Sequence, residues 1–122
     1  MEKKILVTGG CGFIGSHLVE KLVELGREVV ILDNLSKGKP ENVRVLENSS
    51  KLKLIEGDLL DSGRLDEAIG DCGLVFHLAA NPQANIGYSD TEVHFQQNIV
   101  VTRNLLETMR KSIRANGARG SW

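Results

Sequence analysis

Ile5-Leu6-Val7-Thr8-Gly9-Gly10-Cys11-Gly12-Phe13-Ile14-Gly15 decides the fold. Apolar, mostly β-branched residues break into glycines at positions 9, 12 and 15, and an amphipathic stretch follows. The order is strand, tight turn, helix N-terminus. Gly9 allows a sharp turn, Gly12 lets the backbone approach a phosphate with no Cβ in the way, and Gly15 lets the helix lie close on the strand. A helix start also offers unpaired N–H groups and about half a positive charge. The segment reads as a cradle for a pyrophosphate.

Outward from it, Ile14, Leu18, Leu22 and Leu25 recur at helical spacing, with Glu20, Lys21 and Glu24 on the other side. Gly26 stands where a C-cap glycine is expected. A second strand, 28–32, ends at Asp33. An acid about 20 residues past the turn, at the tip of the second strand, grips adenine ribose hydroxyls in dinucleotide-binding βαβ units. A carboxylate there accepts from a 2′-hydroxyl and repels a 2′-phosphate, so NAD is expected rather than NADP, with Lys37 and Lys39 softening the repulsion.

Residues 34–42 are turn chemistry, and Pro40 opens a short helix through Asn48. A third strand spans 52–56. Ser62 is expected to cap a helix through Ile69, ended by Gly70. Residues 73–80 form a fourth strand, apolar throughout as a strand covered on both faces should be. Ser89-Asp90-Thr91-Glu92 is a capping box. The helix it opens carries Phe95, Ile99, Leu106, Met109 and Ile113 at helical spacing, widened by Val100 and Val101, to about Lys111. Such alternation predicts an α/β fold: a partial three-layer Rossmann-like parallel sheet of about four strands, order 3-2-1-4.

The 122 residues carry a net charge of −1, which fits one domain and gives no reason to expect nucleic acid or a membrane surface as partner. No apolar run reaches the ~18 residues of a membrane span, and the N-terminus does not read as a signal peptide. Cys11 and Cys72 are not a Cys-x-x-Cys pair and suit free thiols in a reducing cytoplasm. His17, His77 and His94 have no metal-ligand spacing, so no metal is expected.

The segment 7–18 resembles the N-terminus of the extended short-chain dehydrogenase/reductase family. The nearest match is its nucleotide-sugar branch, that of UDP-glucose 4-epimerase and dTDP-glucose 4,6-dehydratase. Segments 32–38, 56–59 and 75–80 agree, as does Gln97-Asn98 leading into 102–107, so the resemblance covers about 3–111. It implies that Gly9, Gly12, Phe13 and Ile14 lie along the NAD pyrophosphate. Asp33 would bond the adenosine ribose, with Asn34, Ser36 and Gly38 nearby. Asp58 and Leu59 would flank the adenine, Leu78, Ala79 and Ala80 would pass beneath the nicotinamide ribose, and Asn98 would be a buried helix side chain. Asp58 also reads as a turn former, Ala79 and Ala80 as small for packing, and Asn98 as a solvated residue.

The family's chemistry needs a Tyr-x-x-x-Lys pair and a serine from the strands that follow. Here the one tyrosine is Tyr88, and position 92 is Glu92. Residues 112–122 hold no apolar run that could be a fifth strand. The expectation is a partial NAD-binding domain over 1–111. Residues 112–122 are then a non-family tail from truncation or a shifted reading frame, with 120–122 of vector origin. No catalytic residue is expected in these 122 positions, and no turnover. The fourth strand would be an apolar edge, so self-association through it or through the 89–111 helix is expected. The alternative is a non-catalytic Rossmann half that dimerises and binds adenine nucleotides weakly or not at all.

Overall fold

The computed structural model describes residues 3–79, 92 and 95–115. Strand β1 (Ile5–Thr8) leads into helix α1 (Phe13–Glu24), then β2 (Val29–Asp33), a 3₁₀ helix (Pro40–Leu46) and β3 (Leu52–Glu56). Helix α2 (Ser62–Ile69), β4 (Leu74–His77), a π-helical turn (Phe95–Val100) and α3 (Val101–Ala115) follow. The four strands are parallel in the order β3-β2-β1-β4, as expected from the alternation.

Both faces of the sheet are covered, which is why β1 and β2 are apolar almost without interruption. Leu6, Val30, Leu32 and Ile55 meet Leu65 and Ile69 of α2 and Val101 and Leu105 of α3 on one face. Ile5, Val7, Val29 and Ile31 meet Val19 of α1 and Val43 of the 3₁₀ helix on the other. Each fully buried aliphatic side chain contributes roughly 1.5–3 kcal/mol relative to exposure.

Helix α1 ends where Gly26 predicts. Gly26 has φ +83°, its N–H donates to Val23 O, and Arg27 N–H donates to Leu22 O. These two bonds form a Schellman stop. The packed face of α1 is the expected stripe only in part: Leu18 and Leu22 pack on the core. Gly15, Ser16 and Val19 are buried, whereas Ile14 and Leu25 are 71% and 64% exposed. Small residues face the sheet because the helix lies so close to it. At α2 the cap is Asp61, not Ser62: Asp61 Oδ1 accepts from the N–H of Gly63 and Arg64. A carboxylate satisfies two first-turn donors and complements the helix dipole, so it takes the position.

Beyond β4 the expected single helix is a π-helical turn running into an α-helix that reaches Ala115. Val101 and Leu105 are buried in the cluster that holds α2, with Met109 packed against it, while Phe95, Ile99 and Leu106 stand exposed. The expected stripe divides between two lines: Val101 and Met109 pack on the core, whereas Phe95, Ile99 and Leu106 lie on the outer side. Strand β4 is shorter than 73–80, and Leu74 is exposed because β4 is an edge among the described residues. The capping box at 89–92 lies outside the described residues except for Glu92. So do Ala80, Tyr88, His94 and the 120–122 terminus. No helix among the described residues is long and apolar enough to cross a membrane.

Candidate functional site

The glycine turn lies at the C-terminal edge of the sheet. Thr8 pairs with Leu32 on one side and His77 on the other, so Asp33 and Leu78 emerge flanking the turn. Gly9 has φ +73°, and a Cβ there would lie 2.9 Å from Ala79 N. A Cβ on Gly15 would fall 2.2 Å from Gly9 O. The first glycine makes the turn and the third brings the helix down onto it.

The peptide groups of the turn divide into two sets. Gly12 N–H donates to Gly9 O at 3.1 Å, Cys11 N–H to Asp33 Oδ2 at 3.0 Å, and Ser16 N–H to Gly12 O at 2.9 Å. No bond within the described residues takes up the N–H of Phe13, Ile14 or Gly15, the orphan donors of the first helical turn. Among the described residues a side chain at Gly12 would meet only Gly9 O, at 3.3 Å, so they leave the space before the helix start open. Phe13 is 80% exposed, and its ring packs edge-on against His17, whose Nδ1 lies 2.7 Å from Phe13 O. Free amides facing open space at a helix N-terminus fit an anionic diphosphate.

Asp33 is buried to 6% exposure. Besides Cys11 N–H, it accepts from Leu35 N–H through Oδ1 at 2.8 Å and holds Leu35 in a left-handed turn of φ +61°. Each oxygen keeps a second lone pair for a hydroxyl. Asn34 and Ser36 are exposed beside it, Asn34 Oδ1 accepting from Ser36 N–H at 3.0 Å. Gly38 is buried against the Asp33 carboxylate and Cys11. Gly57 N–H donates to Asp33 O, which brings Asp58 to the same edge. Asp58 Oδ1 accepts from Leu60 N–H at 2.9 Å in a local turn and remains exposed. Leu59 sends its side chain into the core, so only its backbone is available to a ligand.

On the far side of the turn a polar chain crosses the molecule. Thr8 Oγ1 accepts from the N–H of Leu78 and Ala79 at 3.0 and 3.2 Å and lies 2.6 Å from His77 Nδ1. His77 Nε2 lies 3.1 Å from Thr102 Oγ1, whose hydroxyl donates to Asn98 O at 2.6 Å. The Thr102 proton is committed, so Nε2 must donate and Nδ1 must accept from Thr8. That assigns a neutral Nε2–H imidazole. Burial lowers the His77 pKa, consistent with that form. Leu78 is exposed, and Asn98 is half-buried within the π-helical turn.

Thr8, His77 and Thr102 belong to no motif that marks them as site residues in the sequence. Thr8 and His77 gave one signal, a polar residue closing an apolar strand. The two cysteines are free and buried; burial, then the nearby Asp33 charge, pushes the Cys11 thiol up to about 11, and burial, then Asp71, does the same at Cys72. Both are neutral and unsuited to nucleophilic work. No group of His, Cys, Asp or Glu among the described residues could hold a metal ion. A shallow hollow of ≈ 270 Å³ between the 3₁₀ helix and β3, lined by Glu41, Arg44, Glu47 and Leu52 among others, takes no lining from the glycine turn.

Comparison with known proteins gives a consistent result. Residues 5–118 match the NAD dependent epimerase/dehydratase family. A putative UDP-glucose 4-epimerase of Methanocaldococcus jannaschii is 40% identical over 109 residues, 88% of this chain and 34% of the relative. The UDP-glucose 4-epimerase of Thermus thermophilus, solved in complex with NAD, superposes with a TM-score of 0.79 at 38% identity, over 88% of this chain and 34% of that one. A dTDP-glucose 4,6-dehydratase double mutant from Streptomyces venezuelae, solved with NAD bound, gives 0.81 at 30% identity, over 86% and 35%. The chain spans about a third of the length of these relatives.

Proposed function

The chain belongs to the NAD dependent epimerase/dehydratase family, and from that premise we propose that it is the NAD-binding N-terminal part of a nucleotide-sugar epimerase of the UDP-glucose 4-epimerase type. The observation that carries this reading is the run of free amides at Phe13, Ile14 and Gly15, with the Asp33 carboxylate beside it on the same sheet edge. In this reading Gly9, Gly12, Phe13 and Ile14 line the pyrophosphate. Asp33 takes the adenosine ribose, with Asn34, Ser36 and Gly38 forming the wall behind it. Asp58 and the Leu59 backbone edge the adenine. Leu78, Ala79 and Ala80 underlie the nicotinamide ribose, and Asn98 is a helix side chain near the strand that follows.

When bound, NAD supplies a hydride acceptor at a sugar carbon. The proton at the sugar hydroxyl needs its own base. The family's tyrosine and lysine have no counterpart in these 122 residues, where Glu92 stands four positions after Tyr88. By itself the chain is therefore a binding unit that turns over no UDP-galactose. Its buried free thiols suit a reducing cytoplasm.

A second reading, a non-catalytic module that pairs with a second copy, is favoured by the β4 edge and by the exposed Phe95, Ile99 and Leu106. Calorimetry with NAD, ADP-ribose and ADP tests the first. Similar affinities for all three are expected, because the adenosine diphosphate half carries the contacts. Failure of all three to bind overturns the reading. An epimerase rate from the purified chain overturns the claim of inactivity.

A further inference from the structure

The Cys11 peptide groups are held by residues that lie outside the glycine motif. Cys11 N–H donates to Asp33 Oδ2. Cys11 O accepts from Asn42 Nδ2 at 2.7 Å and from Lys39 N–H at 3.0 Å. The N–H at the other end of that same peptide plane, that of Gly12, donates to Gly9 O at 3.1 Å. The plane between Cys11 and Gly12 is thus fixed at both ends. The next amide along the chain is that of Phe13, the first of the free donors.

The segment that supplies Lys39 and Asn42 is itself fitted to the turn. A Cβ on Gly38 would lie 2.7 Å from Asp33 Oδ2 and 2.8 Å from the Cys11 carbonyl carbon, so no larger residue passes there. Val43, next to Asn42, is buried in the same cluster as Cys11. Asn42 N–H donates to Lys39 O at 2.9 Å, which closes the start of the 3₁₀ helix.

We propose that Asn42 is a positioning residue for the diphosphate site, acting through the Cys11 carbonyl to aim the free amides of Phe13 and Ile14. The proposal rests on the reading of the glycine turn as an anion cradle. It adds a requirement for a hydrogen-bond donor at a position that touches no ligand. A carboxylate of the same shape would face the Cys11 carbonyl with a repelling oxygen and turn the plane away. The imidazole of a histidine restores a donor at about the same reach.

The test compares Asn42→Asp, Asn42→Leu and Asn42→His in the full chain. In the free wild-type protein, NMR should show a scalar coupling from the Asn42 side-chain nitrogen to the Cys11 carbonyl carbon. In Asn42→Asp the amide shifts should change most at 11–14, with β2 and β3 little affected. ADP and NAD should bind about fivefold more weakly to the Asp and Leu variants, the loss of one hydrogen bond, and within about twofold of wild type to the His variant. Absence of the coupling overturns the proposal. So do wild-type ADP affinity in Asn42→Asp, equal weakening in Asn42→His, or shift changes spread evenly through the sheet. If wild type itself binds neither ADP nor NAD, the parent reading fails and this proposal falls with it. If wild type binds and the variants match it, only this proposal fails.

Discussion

His77 is held between two hydroxyls, and its proton state follows from which of them has a hydrogen left to give. Thr102 spends its own on Asn98 O, so His77 must donate from Nε2 and accept at Nδ1. A second proton on the ring would set Nδ1–H against a Thr8 oxygen that already serves two amides. Burial lowers the folded-state pKa. In the unfolded chain the ring titrates near 6.5. Between the lowered folded value and 6.5 the unfolded chain binds more protons, so stability rises with pH across that interval. The contribution is complete above about 6.5 and is lost as pH falls below it toward the folded value. The free energy of urea unfolding should show a larger wild-type advantage over His77→Phe at pH 7.5 than at pH 5. An advantage independent of pH would rule the neutral, two-hydroxyl arrangement out. Among the described residues the groups bonded to the ring are the Thr8 and Thr102 hydroxyls, and the neighbouring charged residue on α3, Arg103, is exposed.

At the scale of elements, caps and close approaches decide where helices lie. Asp61→Ala removes the acceptor for two first-turn amides of α2 and should cost about 1 kcal/mol, read as a lower urea midpoint. Ser62→Ala should cost less, since Ser62 is already inside the helix. Gly15→Ala should cost more than Asp61→Ala, about 1–3 kcal/mol, because its methyl would strike Gly9 O in the backbone rather than a side chain that can move. It should also weaken ADP binding by shifting the helix start, which calorimetry reads directly.

The same elements show what the sequence made legible. The order of strands, the glycine turn, the Gly26 stop and Asp33 at the tip of β2 all follow from local chemistry, and all are found as expected. Which face of a helix packs was less legible. Helix α1 turns Gly15 and Ser16 inward, which no apolar period can signal, and leaves Ile14 outside at the anion cradle. The π-helical turn at Phe95–Val100 shifts the phase of the following helix, so a stripe read at 3.6 residues per turn across it mixes packed residues, Val101 and Met109, with exposed ones, Phe95, Ile99 and Leu106. Asn42 and Thr102 act through contacts 31 and 25 residues away in the chain, and neither spacing belongs to a motif.

At the scale of the whole molecule, β4 is the last strand of the sheet among the described residues. Strand β4 pairs only with β1 among the described residues, and its Leu74 is 44% exposed. Nearby in sequence, Phe95, Ile99 and Leu106 put three large apolar side chains on the surface, from 47% to 59% exposed. Ile99 and Leu106 lie seven positions apart, two turns of a regular helix, with the π-helical turn offsetting their alignment. An unpaired apolar strand and an apolar helix line are each sites of chain–chain contact. The chain spans about a third of the length of relatives such as these two epimerases. The self-pairing reading puts a second copy of the chain on these surfaces. Sedimentation should therefore show dimers or larger species at tens of micromolar, and Leu106→Glu should shift them toward monomer if the helix line carries the contact. Lys or Pro placed at Val75 tests the strand edge instead, because either blunts pairing there. Wild-type chain that stays monomeric at high micromolar concentration would show that neither surface is adhesive enough, and the self-pairing reading would have to be given up while the nucleotide site stood.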